Sequence, residues 1–238
     1  MSESPVLSVD RLTCRYGDKT PLQDVQLTLA PGEILGVTGA SGSGMSTLAK
    51  AIMMLVAPQE GRVLIHGGPH EHASNRAHIG YLPETVRPPG HLSGQDFITM
   101  TRTIQSSGAD PIDAAAIAGD LDLEPNLLSS PIRRYAKEDV QKLAIVALLA
   151  AGRPVLLLDR PMADLEPASR AGVRHRLRRH ADDGGAVLIV SHHIEDHQDV
   201  ADRLLMLKDG QLTPLETPSL FDQGKDAAQV MTGVQRSA

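Results

Sequence analysis

Residues 39–47 read Gly39-Ala40-Ser41-Gly42-Ser43-Gly44-Met45-Ser46-Thr47. The short apolar run Ile34–Thr38 (ILGVT) precedes them. The stretch Thr47–Leu55, with Leu48, Ile52 and Leu55 on one helical face, follows. A buried strand, a glycine-rich turn and a helix in that order are the context of the phosphate loop G-x-x-x-x-G-K-[ST]. Its glycines let backbone N–H groups curl round an anion, and the helix N-terminus adds a favourable dipole. Gly39, Gly42 and Gly44 stand where that loop needs them, and the Ser46 hydroxyl would ligate Mg2+. The pattern's lysine is absent, because position 45 is Met45. A glycine-rich turn without a ligand is the structural alternative; the strand before it and the helix after it weigh against that.

Working outward, strands and helices alternate. Val6–Leu12, Val25–Leu29, Gly61–Ile65, Ile79–Leu82, Val155–Asp159 and Ala186–Val190 have strand character, and a closing pair, Arg203–Leu207 and Gln211–Pro214, flanks the turn Lys208-Asp209-Gly210. Lys137–Ala150 and Pro167–His180 have helical spacing. Residues 88–150 are mostly helical, interrupted at Gly108–Pro111 and Leu128–Pro131. The pattern predicts an α/β fold: one domain over residues 1–238 with a mostly parallel sheet, an antiparallel β portion and an inserted helical subdomain. The segment after Phe221, residues 221–238, reads as a loose tail.

Composition narrows the function classes. The longest apolar runs, such as Ala144–Ala151, are far shorter than the roughly 20 residues that cross a bilayer. The N-terminus lacks the basic start and apolar stretch of a signal peptide. A membrane role therefore calls for a separate spanning partner. Cys14 is the only cysteine, so no internal disulfide forms. A net charge of −6 and 2% aromatic residues argue against nucleic acid as a partner. The basic stretch His175–His180 (HRLRRH) reads as a solvated helix face.

The order and spacing of these motifs resemble the ABC ATPase family from about Leu7 to Leu212. Tyr16 matches the aromatic that stacks on adenine. Val155–Asp159 (VLLLD) matches the buried strand whose aspartate organises Mg2+, with Pro161 and Leu165 in the loop after it. Ile189–His192 (IVSH) matches the strand that ends in the switch histidine. Asp202–Leu212 (DRLLMLKDGQL) matches the closing strand pair. Residues 79–84, IGYLPE, resemble the exporter branch, in which Glu84 stands for a more usual glutamine. Residues 132–145, IRRYAKEDVQKLAI, resemble that branch's signature segment. Singly, each feature has an ordinary structural reading; their joint order carries the resemblance.

The resemblance implies ATP and Mg2+ as cofactors. Tyr16 and residues Gly39, Ala40, Ser41, Gly42, Ser43, Gly44, Met45, Ser46 and Thr47 would hold the nucleotide, and Ser46, Asp159 and Glu84 the metal. The signature would be Tyr135, Ala136, Lys137, Glu138 and Asp139. It implies cassettes working as facing pairs, in a homodimer or heterodimer, bound to a polytopic membrane permease subunit. The chain would then be cytoplasmic and peripheral on the inner face of the plasma membrane. Three departures touch the chemistry. Met45 replaces the loop lysine. Arg160 stands where the family has the glutamate that polarises the attacking water; His192 and Glu84 remain as catalytic candidates beside it. In the signature, Ala136 replaces serine, Glu138 glycine and Asp139 methionine. The resemblance thus implies a hydrolysis-deficient subunit. An active ATPase with substituted residues and a soluble non-transport ABC protein are the alternatives. In a facing homodimer, Glu138 and Asp139 would be placed to pair with Arg160 of the other copy.

Two histidine groups remain. His193 and His197 are four apart, and His66-Gly67-Gly68-Pro69-His70-Glu71-His72 is similarly rich. Either spacing suits zinc, but neither shows a full ligand set. They are expected to be solvated surface histidines.

Overall fold

A computed structural model describes residues 4–105 and 113–215. In chain order the strands are β1 (Leu7–Tyr16), β2 (Lys19–Leu29), β3 (Ile34–Gly39), β4 (Glu60–Ile65), β5 (Gly68–Pro69), β6 (Ile79–Leu82), β7 (Val155–Asp159), β8 (Ala186–Val190), β9 (Arg203–Lys208) and β10 (Gln211–Leu215). The helices are α1 (Met45–Ile52), α2 (Ala73–Arg76), α3 (Gly94–Gln105), α4 (Ala114–Asp120), α5 (Pro125–Leu128), α6 (Lys137–Ala150) and α7 (Pro167–Asp182). The tail after Phe221 and the interruption at Gly108–Pro111 lie outside the described residues, apart from the sequence itself.

The main sheet has the order β10-β9-β3-β8-β7-β6. All of its pairings are parallel except that of β10 with β9. Strands β3, β7 and β8 are buried at every residue. That is why they read as unbroken apolar runs: a parallel strand covered on both faces has no solvent side. The period of two survives underneath. Leu35, Val37, Leu157 and Leu188 join one core cluster, with β1, β2 and α1. Ile34, Leu156, Leu158 and Ile189 join the other, with α6 and α7. A second sheet, β2-β1-β4-β5, is antiparallel. The α/β class with an antiparallel portion is therefore as expected.

Several boundaries differ for local reasons. Strand β1 runs on past Leu12, and β2 begins well before Val25. Arg11 and Asp24 have positive φ, of 50° and 53°, and the register between the strands shifts there. These irregularities break the alternation by which a strand is recognised. Helix α1 ends at Ile52, short of Leu55. Met54 turns to a φ of 57°, and Leu55 is left 64% exposed while Leu48 and Ile52 are buried.

Helices α3 and α4 each pack against α6 and against α5, and α6 also lies against β6. From Lys142 to Ala150 every residue of α6 is buried, including Lys142, the one charged residue of that stretch. The basic stretch of α7 is less solvated than expected. Leu177 is buried, Arg176 Nε lies 2.5 Å from Asp120, and Arg178 binds Asp202 at 2.8 Å and Asp182 at 2.9 Å. The pairs with Asp120 and Asp202 join α7 to α4 and to the segment before β9, and the pair with Asp182 lies within α7. Among the described residues no helix is long and apolar enough to cross a membrane.

Candidate functional site

The loop after β3 forms one wall of an open cavity of about 990 Å³. Gly44, immediately before α1, has a φ of 112°. A Cβ there would lie 2.5 Å from the carbonyl oxygen of Pro21. Only glycine meets both demands, the backbone conformation and the close approach of β2. Gly44 also carries no capping side chain, so the first N–H groups of α1 keep their capacity to bind an anion. Residues 39–47 all line the cavity. Met45 is 8% exposed and belongs to the apolar core around Leu48 and Ile52. It brings no charge to the loop.

Strand β7 delivers Asp159 to the cavity floor, 2% exposed. Burial raises its pKa above the ordinary carboxylate value, opposed by a hydrogen bond from the Ser46 hydroxyl. Its Oδ2 and the nearby Ser43 Oγ are buried with no partner among the described residues. Unpaired buried oxygens of this kind are costly unless a ligand satisfies them. A Ser46–Asp159 couple beneath a row of backbone donors fits a metal-bound phosphate. Across the cavity mouth Tyr16, at the end of β1, is 48% exposed, an open aromatic face for a base.

Arg160 follows Asp159 with a φ of 52°, its N–H bonded to the Val190 carbonyl at 2.9 Å. Its Nη1 donates to Glu84 Oε1, just beyond β6. An ion pair thus occupies the end of β7. Nearby Tyr81 has its hydroxyl pKa pushed up to about 12, first by burial and then by Asp159 and Glu84. It therefore stays a neutral phenol.

His192 lies just beyond β8 and lines the same cavity. Burial, then His193 and Arg160, hold its pKa below the ordinary value, so it is neutral at pH 7. Behind it is a network that the sequence reading missed. Ser191 Oγ donates to Asp196 at 2.5 Å and accepts from the His193 N–H at 3.2 Å, while the Ser191 carbonyl lies 3.1 Å from His197 Nε2. Ser191, Asp196 and His197 are all buried. The sequence reading also missed Lys19, Thr20 and Pro21 of β2, and Lys208, Asp209 and Gly210 of the β9–β10 turn, which complete the walls.

The structure thus brings Tyr16, residues 39–47, Glu84, Asp159, Arg160 and His192 together. The expected signature residues Tyr135 to Asp139 do not line this cavity. They sit at the start of α6 and are engaged within the chain. The Tyr135 hydroxyl donates to the Leu127 carbonyl, and Lys137 pairs with Asp164 at 2.8 Å. Glu138 Oε1 accepts from the Glu166 N–H at 3.1 Å and from Lys142 at 3.2 Å. Ala136 caps α6 without a side-chain bond.

Of the histidines expected at the surface, His66, His72 and His193 are exposed and two are not. His70 and His197 are fully buried rather than solvated. His70 Nε2 faces Met54 Sδ at 3.1 Å, and His66 stacks edge-on against His78. Among the described residues no group of His, Cys, Asp and Glu is arranged to hold a metal ion. Fitting between backbone strands, not ligation, accounts for His197: a Cβ added to Gly36 would meet its ring.

Residues 22–163 match the family described as ABC transporter. The chain is 34% identical to the hemin import ATP-binding protein of Pseudomonas fluorescens, over 90% of this chain and 87% of that one. It is 26% identical to a Nod factor export ATP-binding protein of Bradyrhizobium diazoefficiens, over 82% of this chain and 65% of that one. A solved ATP-binding subunit of an ABC transporter superposes with a TM-score of 0.84 at 21% identity, covering 97% of this chain and all of that one. Sequence match, fold and the cavity built round residues 39–47 agree: the chain belongs to the ABC transporter family, as an ATP-binding cassette.

Proposed function

We propose that this cassette binds MgATP but hydrolyses it little or not at all, and that it serves a membrane permease as a hydrolysis-deficient subunit. The observation that carries this reading is the Arg160–Glu84 ion pair at the end of β7. A guanidinium stays protonated and cannot accept a proton from water. Glu84, another candidate base in the cavity, has one carboxylate oxygen committed to it. Met45 removes a further charged contact worth about 1.5–3 kcal/mol, or about ten- to a hundredfold in affinity. Ser46, Asp159, the loop amides and Tyr16 still support binding of a nucleotide with its metal, which supplies charge neutralisation at the phosphates when bound.

Turnover of MgATP by the purified chain tests this. The expected result is a rate no faster than background, with partial recovery in the double variant Met45→Lys/Arg160→Glu. A wild-type turnover of about 1–1000 per second overturns it.

A second reading has one observation in its favour: Glu84 lies in the same cavity as Asp159. Glu84 would then act as base in an active ATPase. Loss of a measurable wild-type rate in Glu84→Gln is its signature.

The permease partner, pairing with a second cassette and a place on the cytoplasmic membrane face follow from family membership. Export as the direction rests on the segments 79–84 and 132–145. The helical subdomain, with Leu92–Met100 beside the Glu84 segment, is the surface offered to the permease. Cross-linking from that stretch in membranes should reach a polytopic protein; capture of soluble chains alone counts against it.

A further inference from the structure

We propose that the cation missing at Met45 is supplied from outside the loop, by Lys19 and Lys208, which together act as the polyphosphate-binding charges of this site. The proposal rests on the reading that the cavity binds MgATP. Three cationic side chains line that cavity: Lys19, Arg160 and Lys208. Arg160 is taken up by Glu84. Lys19 and Lys208 are exposed and engage no acidic side chain among the described residues, unlike Lys137 and Lys142, which are paired.

Their backbones are held against the two ends of the phosphate loop. At one end, Pro21 presses on Gly44, the residue before Met45, with its Cβ 3.1 Å from the place a Gly44 Cβ would take. Lys19 lies two residues upstream on the same strand and pairs across the hairpin with Tyr16. At the other end, Gly39 pairs with Leu207, whose carbonyl oxygen is 2.5 Å from where a Gly39 Cβ would be. Lys208 is the next residue. The two segments are also fastened to each other, the Gln23 N–H donating to the Gly210 carbonyl at 2.8 Å. Lysine is a flexible point charge on a four-carbon stem, suited to reaching a phosphate from a neighbouring strand. Asp209, in the same turn, lines the cavity as well and offsets part of the charge.

The consequence is a dependence of affinity on phosphate number that comes from these two residues. The test is equilibrium binding of MgATP and of AMP to the full chain, wild type against Lys19→Met, Lys208→Met and the double variant, at low and high salt. Wild type is expected to prefer MgATP to AMP. Each single change should weaken MgATP by about two- to fivefold, as for exposed charge contacts that salt screens. The double variant should lose most of the preference and most of the salt dependence while its nucleotide-free thermal midpoint and circular dichroism stay those of wild type, which shows the fold intact. Adding Met45→Lys to the double variant should restore the preference. If wild type prefers MgATP and the double variant retains that preference, Lys19 and Lys208 are not the source and the proposal fails. If wild type binds neither nucleotide, the nucleotide-binding reading itself fails and takes the proposal with it.

Discussion

Asp159 shows what a single residue costs when its site is built for something else. It is buried, its Oδ2 is unpaired, and burial holds its pKa above the ordinary carboxylate value. A group shifted in this direction destabilises the fold once ionised. The penalty is full above the folded-state pKa and is relieved as pH falls through it. Asp159→Asn should therefore raise the thermal midpoint of the nucleotide-free chain at pH 8, and should abolish the further rise expected on adding MgATP to wild type. A midpoint lowered in the nucleotide-free variant would show that Asp159 is stabilising instead. Glu138 is the converse. Burial works to raise its pKa, yet the Glu166 N–H and Lys142 outweigh it and bring it below the ordinary value. Its role within the chain is to neutralise buried Lys142. Lys142 is buried and Glu138 partly buried, and removal of one partner of such a pair is worse than loss of an exposed one. Glu138→Ala should cost about 1–3 kcal/mol in urea denaturation, the range for a buried polar group left unsatisfied, and more than Glu138→Gln.

At the level of elements, the central strands carry the fold and hold the site at their ends. The loop after β3, Asp159–Arg160 at the end of β7 and Ser191–His192 after β8 lie side by side, because β3 pairs with β8 and β8 with β7 in parallel. That is where open α/β sheets bind ligands, at the carboxyl ends of the strands. The apolar faces beneath them fix this alignment. Leu188 is fully buried in the middle of β8. Leu188→Ala should cost about 2–5 kcal/mol by equilibrium denaturation, the range for a buried leucine truncation. The loss should appear as a shifted midpoint with little change in the denaturant slope. A change below about 0.5 kcal/mol would mean that this part of the sheet is not closely packed, since effects that small are usual for surface sites.

For the whole molecule, two charge patterns have measurable consequences. Burial holds the pKa values of His70, His180 and His197 below the ordinary 6.5. The unfolded chain takes up protons near pH 6.5 that the folded chain refuses, so stability is full above that pH and declines as pH falls below it. The denaturation midpoint should drop between pH 7.5 and 5.5, and His197→Gln should flatten the dependence; a wild-type midpoint independent of pH would refute this. The second pattern concerns a facing homodimer. Pairing of Glu138 and Asp139 with Arg160 across it competes with contacts already present, since Glu138 binds Lys142 and Arg160 binds Glu84 within the chain. Arg160→Glu should therefore leave nucleotide-free association unchanged in analytical ultracentrifugation. A loss of association, rescued by Glu138→Arg, would establish the inter-chain pair.

The sequence by itself determined the family and the parts of the site that are contiguous. Residues 39–47 and Val155–Asp159 are legible because a phosphate loop and a buried parallel strand are local patterns, written in consecutive glycines and apolar residues. The absence of a lysine at Met45 and of a carboxylate at Arg160 is equally local. Only the tertiary structure decided what stands around them. The Arg160–Glu84 pair joins residues 76 apart in the chain. Lys19 and Lys208 line one cavity because the packing of Pro21 on Gly44 and the pairing of β9 with β3 bring the start of β2 and the end of β9 to opposite ends of the same loop. His70 and His197 are core residues although their neighbours in sequence are polar. Burial and pairing are properties of contacts between distant segments, and no local period in the chain encodes which distant partner a side chain will meet.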